Sequence, residues 1–125
     1  MMDTSAIDDW LRRYRKAWET DDPGAVQDLF TGDARYFTAP YRKPLSGRDA
    51  ISAYWLGEEE SGIRWEFEPD VIAREGDLFV VRAVTTYPDR ASDADGPETF
   101  HNLWLVTLAP DGRAREFVEY FMPVE

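Results

Sequence analysis

A chain of 125 residues can bury its own core as one domain, and without cysteine it has no disulfide, no thiol nucleophile and no thiolate-bound metal. Its 25 acidic and 14 basic residues give a net charge of −11, which repels phosphate backbones and anionic lipid, so neither nucleic acid nor membrane is an expected partner. The absence of a leader-like N-terminus or a long apolar run, together with the missing cysteines, predicts a single cytoplasmic domain over residues 1–125.

Ile7, Trp10, Leu11, Tyr14, Ala17 and Trp18 recur at helical spacing after Ser5 and Asp8, whose separation suits a capping box, and together they predict a long amphipathic first helix. Asp22-Pro23 reads as the start of a short second helix with Val26, Leu29 and Phe30 on its stripe, ended by Gly32-Asp33. A strand over 34–38 follows, and Pro40 and Pro44 then punctuate a loop. Ser46 and Asp49 repeat the capping pattern for a third helix with Ile51, Tyr54 and Trp55 on one face.

From Arg64 the period changes from helical to alternating, which predicts strands through Trp65/Phe67, Val71–Arg74, Leu78–Tyr87, Glu98–Leu108 and Arg113–Met122. Turns fall at Glu75-Gly76-Asp77 and Pro110-Asp111-Gly112, and the acidic stretch Pro88–Pro97 reads as a solvent loop. That stretch is no calcium loop, because with Gly96 in the sixth place the first ligand position is Ala91 and the twelfth is Asn102. One histidine and no cysteine leave no transition-metal constellation, and neither a phosphate cradle nor a nucleophile elbow is present.

The segments Tyr14-Arg15-Lys16-Ala17-Trp18-Glu19-Thr20-Asp21-Asp22, Leu29-Phe30, Asp33-Ala34, Gly47-Arg48-Asp49-Ala50-Ile51 and the Asp111-Gly112-Arg113 hairpin before an aromatic strand resemble, in order and spacing, the SnoaL-like branch of the nuclear-transport-factor-2-like superfamily. The resemblance implies an α+β cone, with three N-terminal helices packed on a strongly bent antiparallel sheet, as in a cystatin-like roll. It also implies that alternate residues of the last two strands point into the cone, while the opposite face packs on a second subunit. Matching the hairpin glycine to Gly112 sends Phe100, Asn102, Trp104, Val106, Phe117, Glu119 and Phe121 inward, and His101, Leu103, Leu105, Val118, Tyr120 and Met122 outward.

Ketosteroid isomerisation, the best-studied chemistry of that branch, uses a helix Tyr and two Asp residues. Tyr14 falls on the Tyr position, but Thr38, or Ala39 with a one-residue slip, and Trp104 fall where the two Asp residues belong, so the usual two-Asp mechanism is not expected. Glu119, between Phe117 and Phe121, is the carboxylate best placed for acid/base work, since desolvation raises a carboxyl's pKa; a structural ion pair with Arg82 is the alternative. Arg82 alternates with Leu78, Val80 and Val84, which puts it in the cone unless the strand's phase is shifted by one. Tyr14 and Glu119 are thus the candidate catalytic pair. Trp18, Tyr54, Trp55, Arg82, Asn102, Trp104, Phe117 and Phe121 are the candidate ligand-binding set, with Asn102 facing either a ligand carbonyl or a neighbouring side chain.

The expected protein is therefore a homodimer that binds a small, largely apolar organic molecule without a cofactor or metal, and whose chemistry, if any, is of isomerase, cyclase or dehydratase type. The alternative is a non-catalytic binding or accessory module whose cone is filled by its own side chains.

Overall fold

The computed structural model of the chain describes residues 3–20, 23–57, 66–91 and 97–123, without the side chains at 18, 20, 23, 55–57, 66, 67, 87–91, 97, 98 and 123. Helix α1 (Ser5–Thr20) buries Ile7, Trp10, Leu11, Tyr14 and Ala17, five of the six positions that helical periodicity puts on one face. Its start is capped from further upstream than the Ser5/Asp8 pair suggests. The Asp3 carboxylate accepts from the Ser5 amide at 3.0 Å and the Ser5 hydroxyl at 2.7 Å, while the Thr4 hydroxyl donates to Asp8 at 2.8 Å. Those Ser5 hydrogen bonds, assisted by the Arg74 charge, hold the Asp3 carboxyl below its usual pKa.

Helix α2 (Pro23–Gln27) is shorter than its apolar stripe suggests, because Leu29 and Phe30 have left it. The Leu29 carbonyl accepts from the Trp10 indole at 2.9 Å and from the Ala114 amide at 2.7 Å, and Phe30 already opens strand β1 (Phe30–Phe37). The expected Asp22 cap lies outside the described residues. A strand of two residues, β2 (Leu45–Ser46), pairs Leu45 with Tyr36 where only loop was expected, so Ser46 is not the cap of the next helix. That helix, α3 (Arg48–Gly57), starts instead from the Gly47 carbonyl, which accepts the Ile51 amide at 3.1 Å.

Four long strands follow: β3 (Glu66–Glu75), β4 (Leu78–Ala91), β5 (Pro97–Leu108) and β6 (Ala114–Pro123). The acidic stretch is strand for longer than expected, since Ala91 still pairs with Pro97 after a register shift that begins at Tyr87. Such an irregularity lets Pro88 sit in a strand without a ladder bond. Residues 92–96 lie outside the described residues, as do Trp65 and the Glu58–Glu60 run.

The strands form one bent six-stranded sheet in the order β2-β1-β6-β5-β4-β3. All pairings are antiparallel except β1 with β6, where Tyr36 lies beside Phe117 in parallel register, so the sheet is mixed rather than wholly antiparallel. The interior face carries Phe79, Val81, Ala83, Thr85, Asn102, Trp104, Val106, Ala114 and Phe117, all buried. With α1 against it, this face makes one aromatic core in which Trp10 lies 5.9 Å from Phe117, and Tyr36 stacks on Phe117 at 4.7 Å and 8°.

The phase of β4 is the opposite of the one expected. Phe79, Val81 and Ala83 point inward, while Leu78, Val80 and Val84 are half-buried and Arg82 is exposed on the outer face. There Arg82 pairs with Asp70 of β3 at 3.0 Å, with 62% of its side chain exposed, so it neither lines the cone nor pairs with Glu119 across the sheet. The alternation misleads because both faces of this strand are apolar.

One polar tie locks the helix layer to the sheet. The Arg13 guanidinium donates to the Gly112 carbonyl at 2.8 Å and to the Asp28 carbonyl at 3.3 Å, which joins α1 to the β5–β6 turn. Gly112 has φ +85°, a left-handed conformation that favours glycine at this turn.

Candidate functional site in the cone

Strands β5 and β6 build the site. Along β5, Asn102, Trp104 and Val106 are buried while Leu103 and Leu105 are half-buried and His101 is exposed, so the inward phase is the one that Gly112 sets. Along β6, exposure rises outward from Phe117, which is fully buried, through half-buried Glu119 to Phe121, which is 53% exposed and meets Phe100 edge-on at 6.2 Å. Glu119 thus stands where the packed interior gives way to the open end.

Register places Glu119 directly beside Trp104, and the Trp104 indole N–H donates to Glu119 Oε2 at 3.0 Å. A donor of this kind fixes the carboxylate's position. The rings behind it are continuous: Tyr14 lies 5.0 Å from Trp104 and stacks at 6.4 Å over Phe117, while Trp104 and Phe117 are 5.4 Å apart. Tyr14, Trp104, Phe117 and Glu119 therefore form one constellation. Asn102 flanks it on β5, with its Oδ1 accepting from the Thr85 hydroxyl at 2.9 Å.

The other expected residues divide. Tyr54 is 39% exposed with its ring 6.0 Å from Tyr36, at the rim rather than among the buried rings. Phe121 is on the inward phase but at the open end. The side chains of Trp18 and Trp55 lie outside the described residues. Arg82 belongs to the outer face. Thr38, just beyond β1, is half-buried.

Besides the inward β4 residues Phe79, Val81 and Ala83, Tyr36 and Thr85 carry no clear sequence signal for an inward place. Tyr36 was legible as part of a strand but had no partner strand to give it a face. Thr85 shares the period of Phe79, Val81 and Ala83, the phase of β4 that was passed over. Among the described residues, no three acidic or imidazole side chains are gathered as a metal would require. An open groove of about 440 Å³ between α1 and β3, lined by Asp8, Arg12 and Asp70 among others, includes none of the inward constellation.

The family model of the SnoaL-like domain matches residues 11–117, a span that takes in both the α1 stripe and the β5–β6 hairpin. The chain belongs to the SnoaL-like family. No curated protein sequence matches it.

Among solved structures, this SnoaL-like chain is similar to the epoxide hydrolase/cyclase-like enzyme SalBIII, described as having a role in pyran ring formation in the polyether salinomycin. That likeness has a TM-score of 0.74 at 17% identity over 98% of this chain and 95% of that one. A ketosteroid isomerase-like protein from Erwinia carotovora atroseptica SCRI1043 gives 0.66 at 22% identity, over 94% of this chain and 95% of that one. A protein of unknown function with a cystatin-like fold from Methylobium petroleophilum PM1 gives 0.71 at 14%, over 99% of this chain and 80% of that one. At such identities the shared property is the fold.

Proposed function

We propose that this SnoaL-like protein binds a small, largely apolar organic molecule at the open end of its cone and acts on it by cofactor-independent acid/base chemistry, with Glu119 moving the proton. The observation that carries this reading is the half-buried Glu119 carboxylate, held at 3.0 Å by the Trp104 indole at the edge of an aromatic wall. A carboxylate so placed accepts a proton from a C–H or O–H of a ligand lying on the rings, and can return it elsewhere. Tyr14, whose ring abuts Trp104 at 5.0 Å, is the second polar group of the constellation. The ring-forming and isomerase-like proteins that share the fold support a reaction of isomerase, cyclase or dehydratase type. The two-Asp ketosteroid mechanism is not proposed, because Thr38 and Trp104 occupy the places of its carboxylates.

The test is an NMR titration of the labelled protein with a fragment set of cyclic ketones, lactones, epoxides and alkenols, reading the Trp104 indole N–H resonance and product formation. A fragment that moves this resonance and is converted should be turned over about 10²–10⁴-fold more slowly by Glu119→Gln, which keeps the shape and removes the charge. Fragments that bind elsewhere and leave the Trp104 indole unmoved defeat the reading. So does conversion that survives Glu119→Gln, which places the chemistry on another group, whereas binding at the Trp104 indole without any conversion leaves the protein a binding or accessory module.

We also propose that the outer sheet face is the interface of a homodimer. Tyr120 is 41% and Met122 70% exposed there, beside half-buried Leu103, Leu105 and Val118. A second copy, applying the same patch to itself about a two-fold axis, would cover them.

A further inference from the structure

Asn102 is nine-tenths buried, yet its amide is only half used. The Thr85 hydroxyl has one hydrogen to give and gives it to Asn102 Oδ1 at 2.9 Å, which orients the side chain so that Nδ2 and its two hydrogens face away from Thr85. Among the described residues nothing accepts those hydrogens. Among the described residues no fully buried polar side-chain atom is left without a partner, so Nδ2 is not sealed into the packing. Thr85 is itself buried, and its own exchange with Asn102 leaves it no hydrogen for a ligand.

The register says what stands beside that amide. Asn102 stands opposite Phe121, and Glu119 stands opposite Trp104, so the two residues occupy diagonal positions on the inward face, with their backbones about 7–8 Å apart by sheet geometry. The described cations of the sheet, Arg35, Arg74, Arg82 and Arg115, are all exposed, and Arg35 and Arg82 pair with Glu116 and Asp70.

We infer that Thr85 and Asn102 form an oxygen-recognition subsite, in which Thr85 positions the Asn102 amide N–H to donate to a carbonyl or ether oxygen of a neutral ring compound whose far side meets Glu119. The inference rests on the reading of the cone as a ligand site and names the class of molecule it takes. Anions are disfavoured because Glu119 holds the neighbouring diagonal position on the same face. Asn102 is the binding residue, and Thr85, which acts through it, is a positioning residue.

The experiment uses two probes of nearly the same shape, 1-tetralone and tetralin, which differ in one carbonyl, titrated into the labelled full chain with the Asn102 side-chain NH2 and the Trp104 indole resonances followed. The ketone should bind about tenfold more tightly, the ratio expected for one hydrogen bond made to a buried donor, and it alone should shift the Asn102 NH2 pair. Thr85→Val should bring the ratio close to one, and Thr85→Ser, which restores the hydroxyl, should return it. Equal binding of both probes with the Asn102 NH2 unmoved overturns the inference and leaves the cone as a ligand site. A tenfold preference that persists in Thr85→Val overturns the positioning role. If neither probe moves any inward resonance, the inference and the ligand-site reading fall together. Should Thr85→Val not fold, the wild-type Asn102 shift and the Thr85→Ser ratio still decide.

Discussion

At the scale of single residues, Trp104 does two separable things. Its ring is packed between Tyr14 and Phe117, and its indole N–H is the donor that holds Glu119. Trp104→Ala would remove both at once and cost about 3–5 kcal/mol, which says little about the hydrogen bond. Trp104→Phe keeps most of the apolar body and leaves the half-buried carboxylate without this donor, so it should lower unfolding free energy by about 1–3 kcal/mol in a urea titration. Combining it with Glu119→Gln should recover part of that loss; strictly additive losses would show that the two side chains do not depend on each other. Asn102, Trp104 and Glu119 were legible in the sequence because one glycine pins the turn and the period of two carries the phase from there. Arg82 was misread for want of such an anchor, since Leu78, Val80 and Val84 are no less apolar than Phe79, Val81 and Ala83. Thr85 was invisible because its importance lies in a partner 17 positions away on another strand.

At the scale of elements, the β5–β6 turn is where conformation is most tightly prescribed. Gly112→Ala places a side chain at φ +85° within 3.6 Å of the Arg13 guanidinium, and the left-handed backbone alone should cost about 1–2 kcal/mol. Gly32→Ala in β1 is the control, because a Cβ there meets nothing within 4 Å and the backbone carries no such constraint. Thermal melts should show a clear loss for the first and little change or a small gain for the second; equal losses would mean that the turn's conformation is not what the glycine supplies. The long elements, α1 and the strands from β3 onward, declare themselves by periodicity. Helix α2 and strands β1 and β2 do not. Two residues cannot show a period, and Leu29 leaves its helical pattern because its carbonyl serves Trp10 and Ala114, partners that local sequence does not reveal.

At the scale of the whole molecule, the outer sheet face carries the test of assembly. Sedimentation at micromolar concentration should give a dimer, and Leu105→Glu, at the centre of the patch, should give a folded monomer with the inward site unchanged. A wild-type protein that sediments as a monomer would remove the proposed interface. The α+β class was legible from the sequence as helices followed by long strands, but the parallel pairing of β1 with β6 was not, because nothing in either strand marks a partner some eighty positions away.

That pairing also decides when the fold can close. The last of these strands to leave the ribosome is not added at an edge: β6 slots between β5 and β1, with Phe117 at the centre of the ring stack. In a nascent chain that has reached only the Pro110–Gly112 turn, the edges of β1 and β5 that β6 joins have no partner. Folding during synthesis must therefore wait for the final strand, and until it emerges those edges are open to capture by chaperones or by another unfinished chain.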